Sequence, residues 1–334
     1  MGGWRKHENG AVAITPSGDL IPMVLRWIRL EAEGVCSYAL EAVDGRVLPA
    51  YAPGAHIDLH LPGGLTRQYS LTEASDGRAY VVGVGRDRAS RGGSLWLHEK
   101  ARPGMELSVS APRNSFPLVG GGAPVALFAG GIGVTPIRAM AHRLAAEGRV
   151  WSLTYAARSR TSAAFADELI ALGDLSSGGE VLLHLDDEAG AFMDMSAAVA
   201  RVPDEAHLYC CGPEPMIAAF LEATAGRPAE QVHVEHFGAV APRADDGGLL
   251  VELARSGRTI EVRPDQTILD AVLAAGVAAP ASCRNGVCGT CETTVLAGEP
   301  DHRDMILSEA EKATGQSMMI CCSRARSARL TLDL

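Results

Sequence analysis

Between positions 37 and 110 apolar and polar residues alternate in short runs, at 37–43, 55–61, 66–71, 80–84 and 105–110, with Pro-Gly or Gly-Gly pairs between several of them. A period of two predicts strands with one buried face, and tight punctuation joins them as neighbours. Together they predict a small antiparallel barrel over about 20–118, with a helical stretch at 95–100. From Pro124 onward the pattern changes. Apolar runs at 125–129, 151–156, 180–185 and 207–210 alternate with helical stretches at 136–147, 163–172, 196–202 and 215–225. That alternation predicts a parallel sheet with crossover helices. The run 232–237 closes it, and a stretch rich in Gly, Ala, Pro and Asp at 238–248 reads as a linker. Beyond lie a hairpin (250–254 and 259–263), a helix at 267–275 stopped by Gly276, a strand at 291–296, a short helix at 308–313 and a last strand at 329–332.

The 334 residues suffice for three domains with full cores. The expected division is a loose leader at 1–19, the barrel at 20–120, the α/β domain at 121–238, the linker at 239–248 and a final domain at 249–334. No apolar run approaches the roughly 20 residues needed to span a bilayer. The nearest, 21–30, is interrupted by Arg26 and Arg29. The first residues lack the apolar core of a secretory signal, which places the expected location in the cytoplasm with no membrane association. A formal charge of −10 argues against a nucleic-acid binder.

The most specific chemistry lies in the last domain. Cys283, Cys288 and Cys291 form a C-x4-C-x2-C run, and Cys321 follows further along. This is the plant-type pattern in which four thiolates hold a 2Fe-2S cluster. Three thiolates must converge on one small core, and Gly286 and Gly289 let the backbone take positive φ around it. A zinc knuckle is the alternative, but zinc sites favour paired C-x2-C units and here there is one. Cys36, Cys210, Cys211 and Cys322 are expected to be small buried hydrophobes.

Two further places can receive anions. Arg67, Tyr69 and Ser70 lie on one predicted strand, and Arg91, Gly92, Gly93 and Ser94 precede a helix, where free N–H groups favour phosphate. Arg67 can add a charged fork and Tyr69 an aromatic wall for a flat ring. In the α/β region a strand runs into Gly130, Gly131 and Gly133, then Thr135 and Pro136 at a helix start. A second strand runs through Cys211, Gly212 and Pro213 into another helix. Both fall at carboxyl ends of strands, where open α/β sheets bind ligands. The first departs from G-x-G-x-x-G and is only moderately specific by itself. Asp186 and Asp187 read as surface acids at a strand end.

In their order, these motifs, together with the stretch from Asn114 to Leu118 and Cys321-Cys322-Ser323-Arg324, resemble the phthalate dioxygenase reductase family, and especially its vanillate O-demethylase reductase branch. The resemblance covers about residue 20 to the C-terminus. It implies an antiparallel flavin-binding β-barrel, a ferredoxin-reductase-type α/β nucleotide-binding domain and a β-grasp plant-type ferredoxin domain. It implies FMN at Arg67, Tyr69, Ser70, Gly92, Gly93 and Ser94, with Phe237 near the flavin ring. NADH would lie at Gly130, Gly131, Gly133, Thr135 and Pro136, with Cys211, Gly212 and Pro213 bordering the nicotinamide. Cys321, rather than Cys322, matches the fourth cluster ligand.

The resemblance further implies an NADH-dependent reductase, a monomer, that passes electrons through FMN and the 2Fe-2S cluster to a separate Rieske-type aromatic oxygenase or O-demethylase. No catalytic triad is required, because the cofactors carry the chemistry. The alternatives are a reductase for a haem monooxygenase and a non-enzymatic iron-sulfur carrier. Arg158 and Arg160 keep NADPH open, since related enzymes can meet a 2′-phosphate at that position. Arg284 is a candidate for meeting an acidic patch on the oxygenase. After Leu71 the chain has Thr72-Glu73, where relatives commonly place smaller polar or amide residues, so no flavin contact is carried over there.

Overall fold

A computed structural model describes residues 20–87, 92–237, 247–281, 284, 286, 289–304 and 306–334. The expected leader, Arg91, nearly all of the linker, and Cys283 and Cys288 lie outside them.

The first sheet contains β1 (Ile21–Ala32), β2 (Val35–Ala42), β3 (Ala55–Leu61), β4 (Leu65–Ser70), β5 (Ala79–Gly85), β6 (Glu106–Val109) and β7 (Arg113–Asn114), with helix α1 (Gly93–Glu99) beside it. The strand order is β4-β3-β6-β1-β2-β5, with β7 paired to β3. Leu71 bridges Val82 and so joins the two ends of that order, which makes the sheet a barrel. Ile57, Leu59 and Leu61 on β3 point into its core, while His56, Asp58 and His60 alternate to the other face. The sequence pattern does not single out β1. It is a 12-residue strand whose alternation breaks at register shifts after Leu25 and Leu30, where the chain bulges at the exposed Arg26 and at Glu31.

The second sheet is parallel throughout, in the order β10-β9-β8-β11-β12. Its strands are β8 (Val125–Gly130), β9 (Trp151–Ala157), β10 (Gly179–Leu185), β11 (His207–Gly212) and β12 (Val232–His236). Helices α2 (Val134–Ala146) and α3 (Ala166–Leu175) cover one face. On that side Leu127, Ala129, Leu153 and Tyr155 are buried. After a one-turn α4 (Asp186–Ala189), helices α5 (Met195–Val199) and α6 (Glu214–Ala223) cover Ala126, Phe128, Leu208 and Cys210 on the opposite face. Burial on both faces explains why β8 is apolar without alternation. One local expectation is corrected. Helix α3 starts at Ala166, because Phe165 before it holds a left-handed conformation (φ 61) that stops a helix from running through. Asp186 and Asp187 directly follow the end of β10 and are not buried, as expected of acids at a strand end, and they form the first turn of α4, where carboxylates meet the positive end of a helix.

The third region is built from β13 (Leu249–Leu253), β14 (Arg258–Val262), α7 (Ile268–Ala274), β15 (Glu292–Ala297), β16 (Pro300–Asp301), α8 (Glu309–Thr314), β17 (Ser317–Met319), β18 (Arg324–Ala325) and β19 (Arg329–Leu332). Its five-stranded sheet runs β14-β13-β19-β15-β17. The Thr267 side chain caps α7, and Gly276 ends that segment at φ 75. Ser308 and Glu311 form a reciprocal cap on α8. No helix among the described residues is long and apolar enough to cross a membrane.

Candidate functional site

The parallel sheet reverses its winding between β8 and β11, and the two glycine motifs end those strands. They pack against each other directly. A Cβ on Gly133 would lie 2.2 Å from the Cys211 carbonyl oxygen, and one on Gly130 would lie 2.5 Å from Met216 Sδ. Glycine is therefore needed so that two backbones can touch at the switch point. Thr135 donates its hydroxyl to the Ile132 carbonyl, and Pro136 sits in the first turn of α2, where its missing N–H is harmless. Gly131 and Gly212 are partly open, and Pro213 is exposed. Cys211 is wholly buried, and burial raises its thiol well above the usual range.

On the barrel, the fold brings together two stretches separated by 25 positions. Arg67 on β4 lies against Gly93 at the start of α1, where a Cβ would fall 2.4 Å from Arg67 Cγ. Gly92, at φ 96, makes the turn. Arg67 donates to the Thr66 carbonyl at 2.8 Å, and Ser94 Oγ accepts from the Asp87 N–H at 3.3 Å.

A cavity of about 530 Å³ opens where all three regions meet. The barrel contributes His56, Gln68, Tyr69 and Ser70. The α/β sheet contributes Ile132, Thr135, Glu235 and Phe237, and the last region contributes Ile306, Leu307 and Lys312. Phe237 is 45% exposed and faces this space, so it is not a core residue.

His56, Gln68 and Glu235 were not among the residues expected here. Gln68 stands between the expected Arg67 and Tyr69, but residue type and spacing do not distinguish it, His56 or Glu235 from other polar strand residues. Their signal appears only in three dimensions. Both ring nitrogens of His56, Gln68 Nε2 and Glu235 Oε2 are buried with no hydrogen-bond partner. Buried polar atoms left unpaired are costly and mark places held ready for a polar ligand. Burial pushes the Glu235 carboxyl up to about 8 against an opposing hydrogen bond with Ser70, so it carries a proton at neutral pH. Burial also lowers His56 to about 4, helped by Arg113 and opposed by Asp58, so its ring is neutral. A flat ligand with an apolar body, a polar edge and an anionic tail fits these walls. Tyr69 and Phe237 offer ring faces, the orphaned groups offer edge partners, and Arg67 with Gly92 and Gly93 offers the anion cradle. Those are the features of a flavin mononucleotide.

At the cluster loop, Gly286 and Gly289 hold φ of 67 and 75, as expected of a chain wrapping a compact core. Cys291 and Cys321 are each 3% exposed. They are brought together by the β15–β17 ladder, which pairs Glu292 with Met319, and the Ile320 N–H donates to the Cys291 carbonyl at 3.4 Å. Soft, buried sulfur donors suit an iron-sulfur cluster. Cys322 packs behind the loop, with its Sγ 2.5 Å from where a Gly286 Cβ would stand. Of the remaining cysteines, Cys210 and Cys211 are buried, while Cys36 is only half-buried, at the end of the β2 face that packs against the barrel core with Tyr38 and Leu40. Arg284 is ion-paired to Asp270 at 2.9 Å.

One segment joins the cavity to the cluster side. Ile306 and Leu307 line the cavity, and their N–H groups donate to Asp304 Oδ2 at 3.3 and 2.9 Å. Asp304 Oδ1 in turn accepts from Ser323, two residues beyond Cys321. Ile306 Cγ2 lies 3.8 Å from the Cβ position of Gly289, so this side chain touches the cluster loop as well.

Comparison with known proteins agrees with this layout. The 2Fe-2S iron-sulfur cluster binding domain matches residues 251–326, which include all four expected ligands, and the oxidoreductase NAD-binding domain matches residues 127–222. Fold and site thus define an NADH, flavin and 2Fe-2S oxidoreductase. The chain is 48% identical to phenoxybenzoate dioxygenase subunit beta of Ectopseudomonas oleovorans, over 96% of this chain and all (100%) of that protein. It is 43% identical to the vanillate O-demethylase oxidoreductase of Pseudomonas sp. (strain HR199 / DSM 7063), over 94% of this chain and 100% of that one. The solved structure of phthalate dioxygenase reductase superposes with a TM-score of 0.77 at 36% identity, covering 94% of this chain and 98% of that one. The chain belongs to the phthalate dioxygenase reductase and vanillate O-demethylase reductase family, as a reductase component of the Rieske-oxygenase type.

Proposed function

We propose that this chain takes electrons from NADH, passes them through FMN in the three-sided cavity to a 2Fe-2S cluster, and delivers them singly to a separate Rieske-type aromatic oxygenase or O-demethylase. The observation that carries this reading is the cavity itself. It borders the barrel, the α/β switch point and the segment leading to the cluster loop, so one bound ligand touches all three. When bound, a flavin supplies exchange of an electron pair on one side and of single electrons on the other.

The chain's residues do the holding. Arg67, Gly92, Gly93 and Ser94 grip the phosphate, Tyr69 and Phe237 flank the ring, and Ser70, His56, Gln68 and Glu235 meet its polar edge. Gly130, Gly131, Gly133, Thr135 and Pro136 receive the dinucleotide, and Cys211, Gly212 and Pro213 border the nicotinamide. Cys283, Cys288, Cys291 and Cys321 ligate the cluster. The domain limits proposed are 20–120, 121–238 and 249–334, the location is the cytoplasm and the working form is a monomer. NADH is favoured over NADPH by the family the chain belongs to, and of the two arginines that keep NADPH open, Arg160 is ion-paired with Asp167.

Anaerobic titration of the purified protein with NADH tests the relay, followed by visible absorbance. Bleaching of both flavin and cluster bands is expected, and transfer to an added Rieske oxygenase should follow. A haem monooxygenase accepting electrons equally well would move the partner assignment. Bands that fail to bleach with NADH would overturn the reading. Cys321→Ser should remove the cluster bands while NADH still reduces the flavin, and a normal cluster in that variant would transfer the ligand role away from Cys321.

A further inference from the structure

Thr72 and Glu73 find their role across the boundary between barrel and α/β domain. Arg138, on α2, is 7% exposed. Its Nη1 donates to the Thr72 carbonyl at 2.7 Å and lies 3.6 Å from Glu73 Oε1. Its Nε and Nη2 grip Glu168 on α3 at 3.0 and 2.7 Å, and its guanidinium stands 5.0 Å from the centre of the Phe165 ring. One turn along α2, His142 Nε2 braces the same carboxylate at 2.6 Å. Thr72 is equally fixed on its own side, since its N–H and hydroxyl both donate to the Val81 carbonyl.

The two ends of this tie reach the cavity. Thr72 is two residues from Ser70, and Arg138 is one helical turn from Thr135; Ser70 and Thr135 both line the cavity, on the barrel and α/β walls. Gly83 allows the walls to close at this point. A Cβ there would lie 2.6 Å from Thr135 Cγ2 and 3.6 Å from Phe165 Cζ.

We propose that Arg138 is a positioning residue for hydride transfer, setting the separation between the nicotinamide wall and the flavin wall by clasping α2 to the barrel at Thr72. The inference rests on the functional reading above. A planar guanidinium satisfies the carbonyl and the carboxylate together, whereas a lysine ammonium lacks that fork. A displacement of about 1 Å between reacting groups can slow a reaction by roughly 100-fold.

The test is anaerobic stopped-flow reduction by NADH of the fully loaded Arg138→Met protein, with Arg138→Lys and Glu168→Gln beside it. In Arg138→Met the limiting rate of flavin bleaching should fall about 10- to 100-fold. Flavin and cluster spectra and the apparent affinity for NADH should hold, and so should light-driven reduction of the cluster through the flavin with EDTA as the sacrificial electron donor, which needs no nicotinamide. Arg138→Lys and Glu168→Gln should fall between it and the parent, which keeps the test open if the methionine variant does not fold. An unchanged limiting rate, a loss explained by missing flavin, or an equal slowing of the light-driven step would each overturn the assignment. Failure of the unsubstituted protein to reduce its flavin with NADH would instead overturn the functional reading.

Discussion

The cavity and the clasp beside it treat buried polar groups in opposite ways. At the cavity His56, Gln68 and Glu235 keep buried atoms without partners. At the clasp the Arg138 guanidinium is matched by Thr72 and Glu168, and Glu168 is held from its other side by His142. The two glutamates record the difference. Burial raises the Glu235 carboxyl to about 8, because little opposes it. Burial also acts to raise Glu168, but hydrogen bonds from His142 and Arg138 overrule it and hold that carboxyl at about 2. At the clasp the satisfied groups hold the frame, and at the cavity the unsatisfied ones border the space a ligand would fill. Substitutions in the frame should therefore cost stability, while those at the cavity should cost binding.

The largest effect is expected from Gly133→Ala, at the contact between backbones. Its φ is helical, so the whole penalty is steric, and the Cys211 carbonyl has no room to yield. Overpacking of this kind costs about 3 kcal/mol, visible as a lowered thermal midpoint together with weakened NADH binding. A normal melting curve would show that the switch point is more pliant than the frame reading allows. Next comes Arg67→Met, beside Gly93 at the proposed phosphate cradle. Loss of charge-assisted hydrogen bonds to a phosphate, worth roughly 1.5–3 kcal/mol, should weaken FMN binding about 10- to 100-fold, read by flavin fluorescence on dilution. Retention of flavin at full strength would remove Arg67 from the phosphate site.

Smaller effects are expected from pH. Glu235 binds its proton more tightly folded than unfolded, so its contribution to stability is complete below its ordinary value of 4.5 and is lost as the pH rises through about 8. Denaturant melts of flavin-stripped Glu235→Gln should therefore lose less stability than the parent between pH 5 and about 8. Parallel pH curves would contradict a protonated Glu235. Glu168 behaves in the reverse sense. Its contribution is full above 4.5 and declines as the pH falls toward about 2. Partial exposure and solvent screening make this the smallest term. Glu168→Gln should narrow the difference in stability between pH 5 and pH 3, and an unaltered acid slope would show that the clasp adds no electrostatic stability.

Much of the architecture was legible along the chain. Strand β3 occupies the span its alternation predicts, and β8, β9 and β10 follow their apolar runs to within a residue or so at each end. Strand β1 escaped, because bulges at Arg26 and Glu31 break its period. The onset of α3 escaped because the positive φ of Phe165 is imposed by its surroundings, not by a glycine.

What the sequence determined by itself was the set of local chemistries and their order: a cysteine run with glycines that can turn around a cluster, glycine turns entering helices, and an aromatic after the last strand of the sheet. These depend on near neighbours, since ligand spacing and positive φ are properties of a few consecutive residues. Tertiary structure alone decided which groups share a wall. His56, Ser70, Glu235 and Ile306 meet at one cavity though 250 positions separate the first from the last. Arg138 found Thr72 rather than solvent. Burial and partnership belong to the packed chain, and they determine whether a carboxyl near neutral pH is a charged strut or a protonated group facing a ligand.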